Sequence, residues 1–375
     1  MKQGKQFFAL LLLSILSFSC NSPKEDVAAN KALKAKIGQM IMVGFDGMTA
    51  SEIKPEFLAQ IDSGYVGGII LFDYDMVNKK PRRNIESPEQ VKTLIADLQE
   101  HASIPLLMAV DQEGGKVNRL KSKYGFPASV SAKYLGTLDD LDTTRHYALL
   151  NAQTLKEVGF NLNFSPVVDT DLNPANPVIG KHERSYSDKA EIIVKHASEW
   201  IRMHDSIGVI STLKHFPGHG SSDADSHKGI TDVTPYWQEE ELIPFEQISK
   251  LDYATAIMTA HVVNNRLDSI YPATLSKTII TGILRERFGF DGLLFSDDLQ
   301  MKAVNDLFDF EELIKLSINA GVDIVVFGNN LLYDETIPQR AVETIFELVK
   351  KGEIPESRIV ESYERVMRYK NMVRE

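Results

Sequence analysis

The sequence predicts a (β/α)8 barrel, and three observations predict it. Eight short runs are apolar through their middle, as parallel strands buried on both faces are. Amphipathic stretches separate the runs, which implies parallel crossover units. Polar, chemically capable side chains follow the C-terminal ends of six of the runs, at the rim where barrels of this kind carry their sites. An open, doubly wound sheet is the alternative arrangement of the same units.

The eight runs are Gln39–Val43, Gly67–Phe72, Leu106–Val110, Asn161–Val168, Gly208–Leu213, Ala256–Ala260, Leu293–Phe295 and Val322–Phe327. A helix is expected from Ser87 to about His101, because Ser87 is a good N-cap, Pro88 suits the first turn and Glu89 complements the helix dipole. Further helices are expected over Thr143–Val158, Asp188–His204, Glu239–Lys250, Ser276–Phe288, Phe310–Ala320 and Pro338–Lys351. Gly159, Gly289 and Gly321 stand just past three of them, where a left-handed cap is wanted. No internal repeat and no interdomain linker is visible, so residues 33–375 read as one domain.

The N-terminus reads differently. Lys2 and Lys5 precede an apolar run from Phe7 to Leu16, broken by Ser14, and Ser17-Phe18-Ser19 then lead to Cys20. The run is too short for a membrane span, which needs about 20 residues, and suits a signal-peptide core. Residues 1–19 are therefore expected to be a lipoprotein signal, with Cys20 the lipid-modified residue anchoring the exported chain to the cell envelope. Residues 20–32 are expected to be a polar tether.

Composition narrows the function. Of 375 residues, 41 are Lys or Arg and 52 are Asp or Glu, a formal charge of −11. That balance argues against non-specific nucleic-acid binding. A single cysteine leaves no intrachain disulfide and no Cys-based zinc site.

Four segments carry chemistry. Lys214-His215-Phe216-Pro217-Gly218-His219-Gly220 is followed by Asp223, Asp225, Ser226 and His227. Gly and Pro exclude a continuous helix here. The loop reads as a solvated turn, as a metal site of His219, Asp223, Asp225 and His227, or as a general acid/base. In the last reading Asp225 orients the His227 ring and raises its basicity. Ser296-Asp297-Asp298 ends the seventh run, where one carboxylate is placed to attack a sugar's anomeric carbon. Asp111-Gln112-Glu113-Gly114-Gly115, with Arg119 downstream, offers an acceptor, a donor and a backbone that a ligand can approach closely. Arg184 lies in Arg184-Ser185-Tyr186, on a loop after Asn173-Pro174 and Asn176-Pro177.

Together these motifs resemble glycoside hydrolase family 3, in its bacterial β-N-acetylglucosaminidase branch. The resemblance runs over about residues 35–330 and rests on KIGQMIMVGF, GGIILF, DQEGGKVNRL, NFSPVVDTDLNP, NPVIG, ERSY, KHFPGHG, DSH, MTAHV, PATLS, FSDDLQM and AGVD in one order. It implies Asp297 as nucleophile, His227 as general acid/base and Asp225 as its partner. It implies that Asp111, Arg119, Arg184, Lys214 and His215 bind the sugar to be released, and that no metal or other cofactor takes part. The implied substrate is a glycan with a terminal β-N-acetylglucosamine. A β-glucosidase of the same family, a silent glycan-binding lipoprotein and a metal-dependent hydrolase are the alternatives. Two departures stand out: Lys181-His182-Glu183 lengthens the loop before Arg184, and Asp73-Tyr74-Asp75 replaces the Arg-Asn common after the second strand.

Overall fold

The computed structural model describes residues 23–253 and 255–373. The expected signal segment 1–19 and Cys20 lie outside the described residues. Eight parallel strands close into a barrel. In chain order they are β1 (Ile41–Val43), β2 (Gly68–Ile70), β3 (Leu107–Val110), β4 (Leu162–Asn163), β5 (Ile210–Phe216), β6 (Thr255–Thr259), β7 (Leu294–Asp298) and β8 (Ile324–Phe327). β1 pairs with both β2 and β8, so the sheet has no free edge and the open doubly wound arrangement is excluded.

Why the strands read as unbroken apolar runs follows from where alternate residues go. Met42, Ile70, Leu107, Ala109, Leu162, Ile210, Ala256, Phe295, Ile324 and Val326 fill the barrel interior as one cluster. Ile41, Val43, Ile69, Met108, Val110, Leu213, Ile257, Leu294 and Val325 belong to a second, larger cluster shared with the surrounding helices. Every strand but β4, whose second face is the hydrogen-bonded Asn163, is thus apolar on both faces, and the period of two is hidden in the sequence.

The helices carry the signals expected of them. Ser87 Oγ accepts from Gln90 N at 3.2 Å, capping Pro88–His101. Asp140 caps Leu141–Glu157, so that helix starts slightly earlier than its apolar pattern. Gly159, Gly289 and Gly321 all hold positive φ. The segment expected as one helix over Glu239–Lys250 is a 3-10 turn, Glu239–Leu242, leading into Ile243–Ile248, and the helix Thr278–Arg287 is π-wound.

Among the described residues, four further α-helices after the first strand have no counterpart in the sequence reading: Pro55–Asp62, Ala132–Leu138, Lys302–Asn305 and Glu356–Met372. The expected tether is also different, since a helix already runs from Pro23 to Gly38. Val27–Ala29 are exposed on it, and its attachment to the barrel begins at Leu33 and Ile37 with the Lys34–Glu343 ion pair.

Candidate active site

The C-terminal ends of the strands open into a cavity of about 390 Å³. Its floor is the top layer of the barrel core: Ile70, Phe164, Met258 and Val326. Phe164 packs edge-on against Phe295 there, with centroids 5.3 Å apart. Asp111, Arg119, Arg184, Lys214, His215, Asp225, His227 and Asp297, all eight residues singled out in the sequence, line this one cavity. They come from β5, β7 and the loops that follow β3, β4 and β5.

Two bulges aim the key side chains. Along β7 three residue steps (Phe295 to Asp298) face two on β8 (Ile324 to Val326). Along β5 three steps (Leu213 to Phe216) face two on β6 (Ile257 to Thr259). An extra residue re-aims a strand locally. The β7 bulge contains Ser296 and Asp297; the β5 bulge contains Lys214 and His215. The backbone groups displaced from the ladder are met by side chains. Ser296 Oγ accepts from Val326 N at 2.9 Å, and Asp169 accepts from His215 N at 3.1 Å.

Asp297 sits at the bottom. Burial disfavours its charged form, but the His261, His215 and His227 rings together outweigh that and hold its carboxyl below the usual carboxylate range. Asp298 is turned to structure: its Oδ1 accepts from Gln300 N and Gly328 N, both at 3.0 Å. Burial pushes its carboxyl up to about 6 despite those bonds. Adjacent acids therefore have opposite environments. His261 supports the turn by donating from Nε2 to the Asp298 carbonyl at 3.0 Å.

At the mouth, Asp225 Oδ1 accepts from both the His227 Nδ1, at 3.0 Å, and the His227 backbone N–H, at 3.1 Å. With Nδ1–H committed there, Nε2 is left for the cavity. Burial lowers the basicity of this ring, while the Asp225 hydrogen bond and the Asp297 charge raise it, and the net shift is upward from 6.5. The side chain is half-exposed, as a group that must meet an incoming molecule has to be. His219 lies behind: its two ring nitrogens meet the Ser222 and Ser226 hydroxyls at 3.1 and 3.2 Å. His219, Asp223, Asp225 and His227 do not converge, and among the described residues no group of three or more His, Cys, Asp or Glu side chains is placed to hold a metal ion.

The wall is a charge lattice. Lys214 Nζ lies 2.8 Å from Asp111 and 2.7 Å from Glu113, and Glu113 also takes both arms of Arg184 at 2.8 Å. Burial opposes ionisation of Glu113, but Arg184 and Lys214 bring its carboxyl down to about 2. Arg119 stands looser, 3.6 Å from Asp111 and 3.9 Å from Asp73, with donors to spare for hydroxyl groups. His215 gives Nδ1–H to Asp169 at 2.7 Å and turns Nε2 toward Arg184 Nη2 at 3.3 Å. Asp169 also accepts from the backbone of His219, at 2.8 Å, so one buried carboxylate fixes the whole turn. Glu113 and Asp169 were both visible in the motifs, yet neither had been given a role by sequence reasoning. Their partners are 71 and 46 residues away.

A pocket over a strand-end carboxylate, open at its mouth, walled by donors and acceptors and faced by a His–Asp pair, defines a barrel with a site suited to polar, hydroxyl-rich ligands. The comparisons sharpen that class. Residues 32–369 match the family model described as the glycosyl hydrolase family 3 N terminal domain. The β-hexosaminidase A of Pseudoalteromonas piscicida is 32% identical over 326 residues, covering 77% of this chain. A β-hexosaminidase of Tolumonas auensis is 35% identical over 270 residues, covering 71% of this chain and 76% of the relative. Among solved structures, a glycoside hydrolase family 3 β-N-acetylglucosaminidase from a Paenibacillus species superposes with a TM-score of 0.81 at 33% identity, over 91% of this chain. The chain spans 52% of the first of these relatives and 62% of the solved one. The chain belongs to glycosyl hydrolase family 3.

Proposed function

We propose that the chain is a retaining exo-β-N-acetylglucosaminidase, releasing terminal N-acetylglucosamine from peptidoglycan-derived or chitin-like oligosaccharides. The names of the relatives support β-hexosaminidase activity. The observation that carries the reading is the pairing of an ionised Asp297 at the cavity floor with a protonatable His227 at its mouth.

In the first step the Asp297 carboxylate attacks the anomeric carbon while His227 Nε2–H protonates the departing glycosidic oxygen. A glycosyl ester on Asp297 results. In the second step the now neutral His227 takes a proton from water, which displaces Asp297 with retention of the β configuration. An imidazole can serve in both directions near neutral pH, where a carboxylic acid would need a larger shift. Asp225 keeps the ring oriented and favours its protonated state. Asp111, Arg119, Arg184, Lys214 and His215 bind the sugar's polar groups. The segment Gly218–His227 closes over bound substrate and brings His227 to the bond. The chain is exported and anchored through Cys20 to the cell envelope, where it meets periplasmic or external glycans.

The test is a pair of aryl glycosides, β-N-acetylglucosaminide and β-glucoside, with NMR of the first-formed anomer. A strong preference for the acetamido sugar and a β product support the reading. Preference for the glucoside, an α product, or sugar binding without turnover overturns it.

A further inference from the structure

The cavity is closed below by the barrel core, so the part of a substrate beyond the cleaved sugar must leave through its mouth. Exposure rises along that path. Lys214 and His215 are buried, Arg119 is 28% exposed, and Tyr74 and Met76 are 38% and 51% exposed. Tyr74 and Met76 both line the cavity. They stand on a hairpin in which Tyr74 pairs with Pro81 and Asp75 with Lys80.

This hairpin is braced far more heavily than an ordinary surface turn. Asp75 and Arg83 are a buried ion pair behind it, 3.8 Å apart and each 1% exposed. Asn330, from the loop after β8, accepts from Met76 N at 3.0 Å and Arg83 Nη1 at 2.9 Å, and donates to the Tyr74 carbonyl at 3.1 Å. Arg83 also donates to the Phe45 and Asn329 carbonyls. Burying such a pair is costly, and a turn that merely connected strands would not require it. The bracing fixes the backbone of Tyr74 and Met76, so their side chains meet a ligand at little loss of entropy. One residue earlier, Asp73 also faces the cavity. It is 2% exposed, Lys121 occupies its Oδ2, and its Oδ1 has no hydrogen-bond partner. Arg119 Nη1 is 3.9 Å from Oδ1, too far to hydrogen-bond, so this buried acceptor at the cavity wall keeps the capacity to take a ligand hydroxyl.

We propose that this hairpin is the aglycone subsite, with Tyr74 and Met76 receiving the apolar face of a second pyranose ring and Asp73 accepting one of the substrate's hydroxyl hydrogens. The inference rests on the glycosidase reading and deepens it. The preferred substrate is a glycan of two or more rings rather than a glycoside with a small leaving group. A tyrosine and a thioether offer a broad apolar face without a charge to desolvate.

The experiment compares chitobiose with N-acetyl-β-glucosaminyl fluoride, whose leaving group is one atom and reaches no second subsite. The readout is the ratio of kcat/KM for the disaccharide to that for the fluoride, in the full chain and in Tyr74→Ala, Tyr74→Phe and Met76→Ala. The proposal expects Tyr74→Ala to lower the ratio about ten-fold, mainly through KM. It expects Tyr74→Phe to keep the ratio and Met76→Ala to lower it by a smaller factor. An unchanged ratio in Tyr74→Ala overturns the proposal, whether both activities survive or both fall together. If the unmodified chain turns over neither substrate, the glycosidase reading fails and the subsite fails with it.

Discussion

Asp297 and Asp298 are neighbours in sequence and opposites in environment. Three imidazoles favour the Asp297 carboxylate against its burial, whereas burial dominates at Asp298 and lifts it to about 6. His227 is half-exposed and shifted upward, because Asp225 and Asp297 outweigh its partial desolvation. On the proposed mechanism, kcat/KM requires a free enzyme with Asp297 ionised and His227 protonated. The profile is therefore expected to be level through the mildly acidic range and to fall as pH rises through the His227 pKa, above 6.5. Asp225→Asn removes the largest raising influence, so the alkaline limb should move to lower pH. A limb that stays where it was in that variant would detach Asp225 from the role given to it. At this scale the sequence was informative about which residues matter and silent about what holds them. Nothing in Glu113 or Asp169 marks it as the clamp on Arg184 and Lys214 or the anchor of His215, since those partners come from neighbouring strand ends distant in sequence.

At the scale of elements, strands were legible and their irregularities were not. All eight runs became barrel strands because burial on both faces favours a largely apolar middle, polar exceptions such as Asn163, Ser211 and Thr212 notwithstanding. The two bulges that aim Asp297 and His215 leave no mark in hydrophobic pattern, because an inserted residue inside a polar strand end looks like any other. Helix Pro23–Gly38 was hidden for a related reason: little of its surface is apolar, and Leu33 and Ile37 are the residues that dock it. The His227 loop has its own hidden support. Glu241 is fully buried, and its side chain lies against Gly218 at the root of that loop. Burial lifts its carboxyl from 4.5 to about 7. The folded protein thus binds this proton more tightly than the unfolded chain, and stability is expected to fall as pH rises from 4.5 through 7. The loss is of order 3 kcal/mol once both limits are passed. Urea unfolding of Glu241→Gln should show a shallower decline over that interval. An identical decline in both proteins would remove Glu241 from the account.

Taken whole, the molecule separates chemistry from stability along the barrel axis. The C-terminal ends of the strands carry the cavity and its titrating groups. The opposite end is closed by Asp323, just before β8, which is fully buried and held by Arg285, Arg358 and Arg365 at 2.7, 2.9 and 3.3 Å. Those guanidiniums come from the helices Thr278–Arg287 and Glu356–Met372, so one carboxylate ties two helices to the barrel floor. Asp323→Ala would take the buried carboxylate from all three, leaving Arg358 and Arg365 only the exposed Glu361 and Asp291 as partners. A destabilisation of about 3–5 kcal/mol is expected in urea unfolding, with kcat/KM of the remaining folded enzyme unchanged. A large kinetic defect in the folded fraction would mean that the two ends are coupled.

On the proposed mechanism a glycosyl group passes through Asp297. The most direct measurement is intact-mass and peptide mapping after exposure to a 5-fluoro N-acetylglucosaminyl fluoride, a substrate that forms the ester quickly and releases it slowly. The account predicts one added sugar per chain, on the peptide containing Asp297, and its loss in Asp297→Asn. An adduct on another side chain, or full turnover by the Asp297→Asn protein, would contradict it.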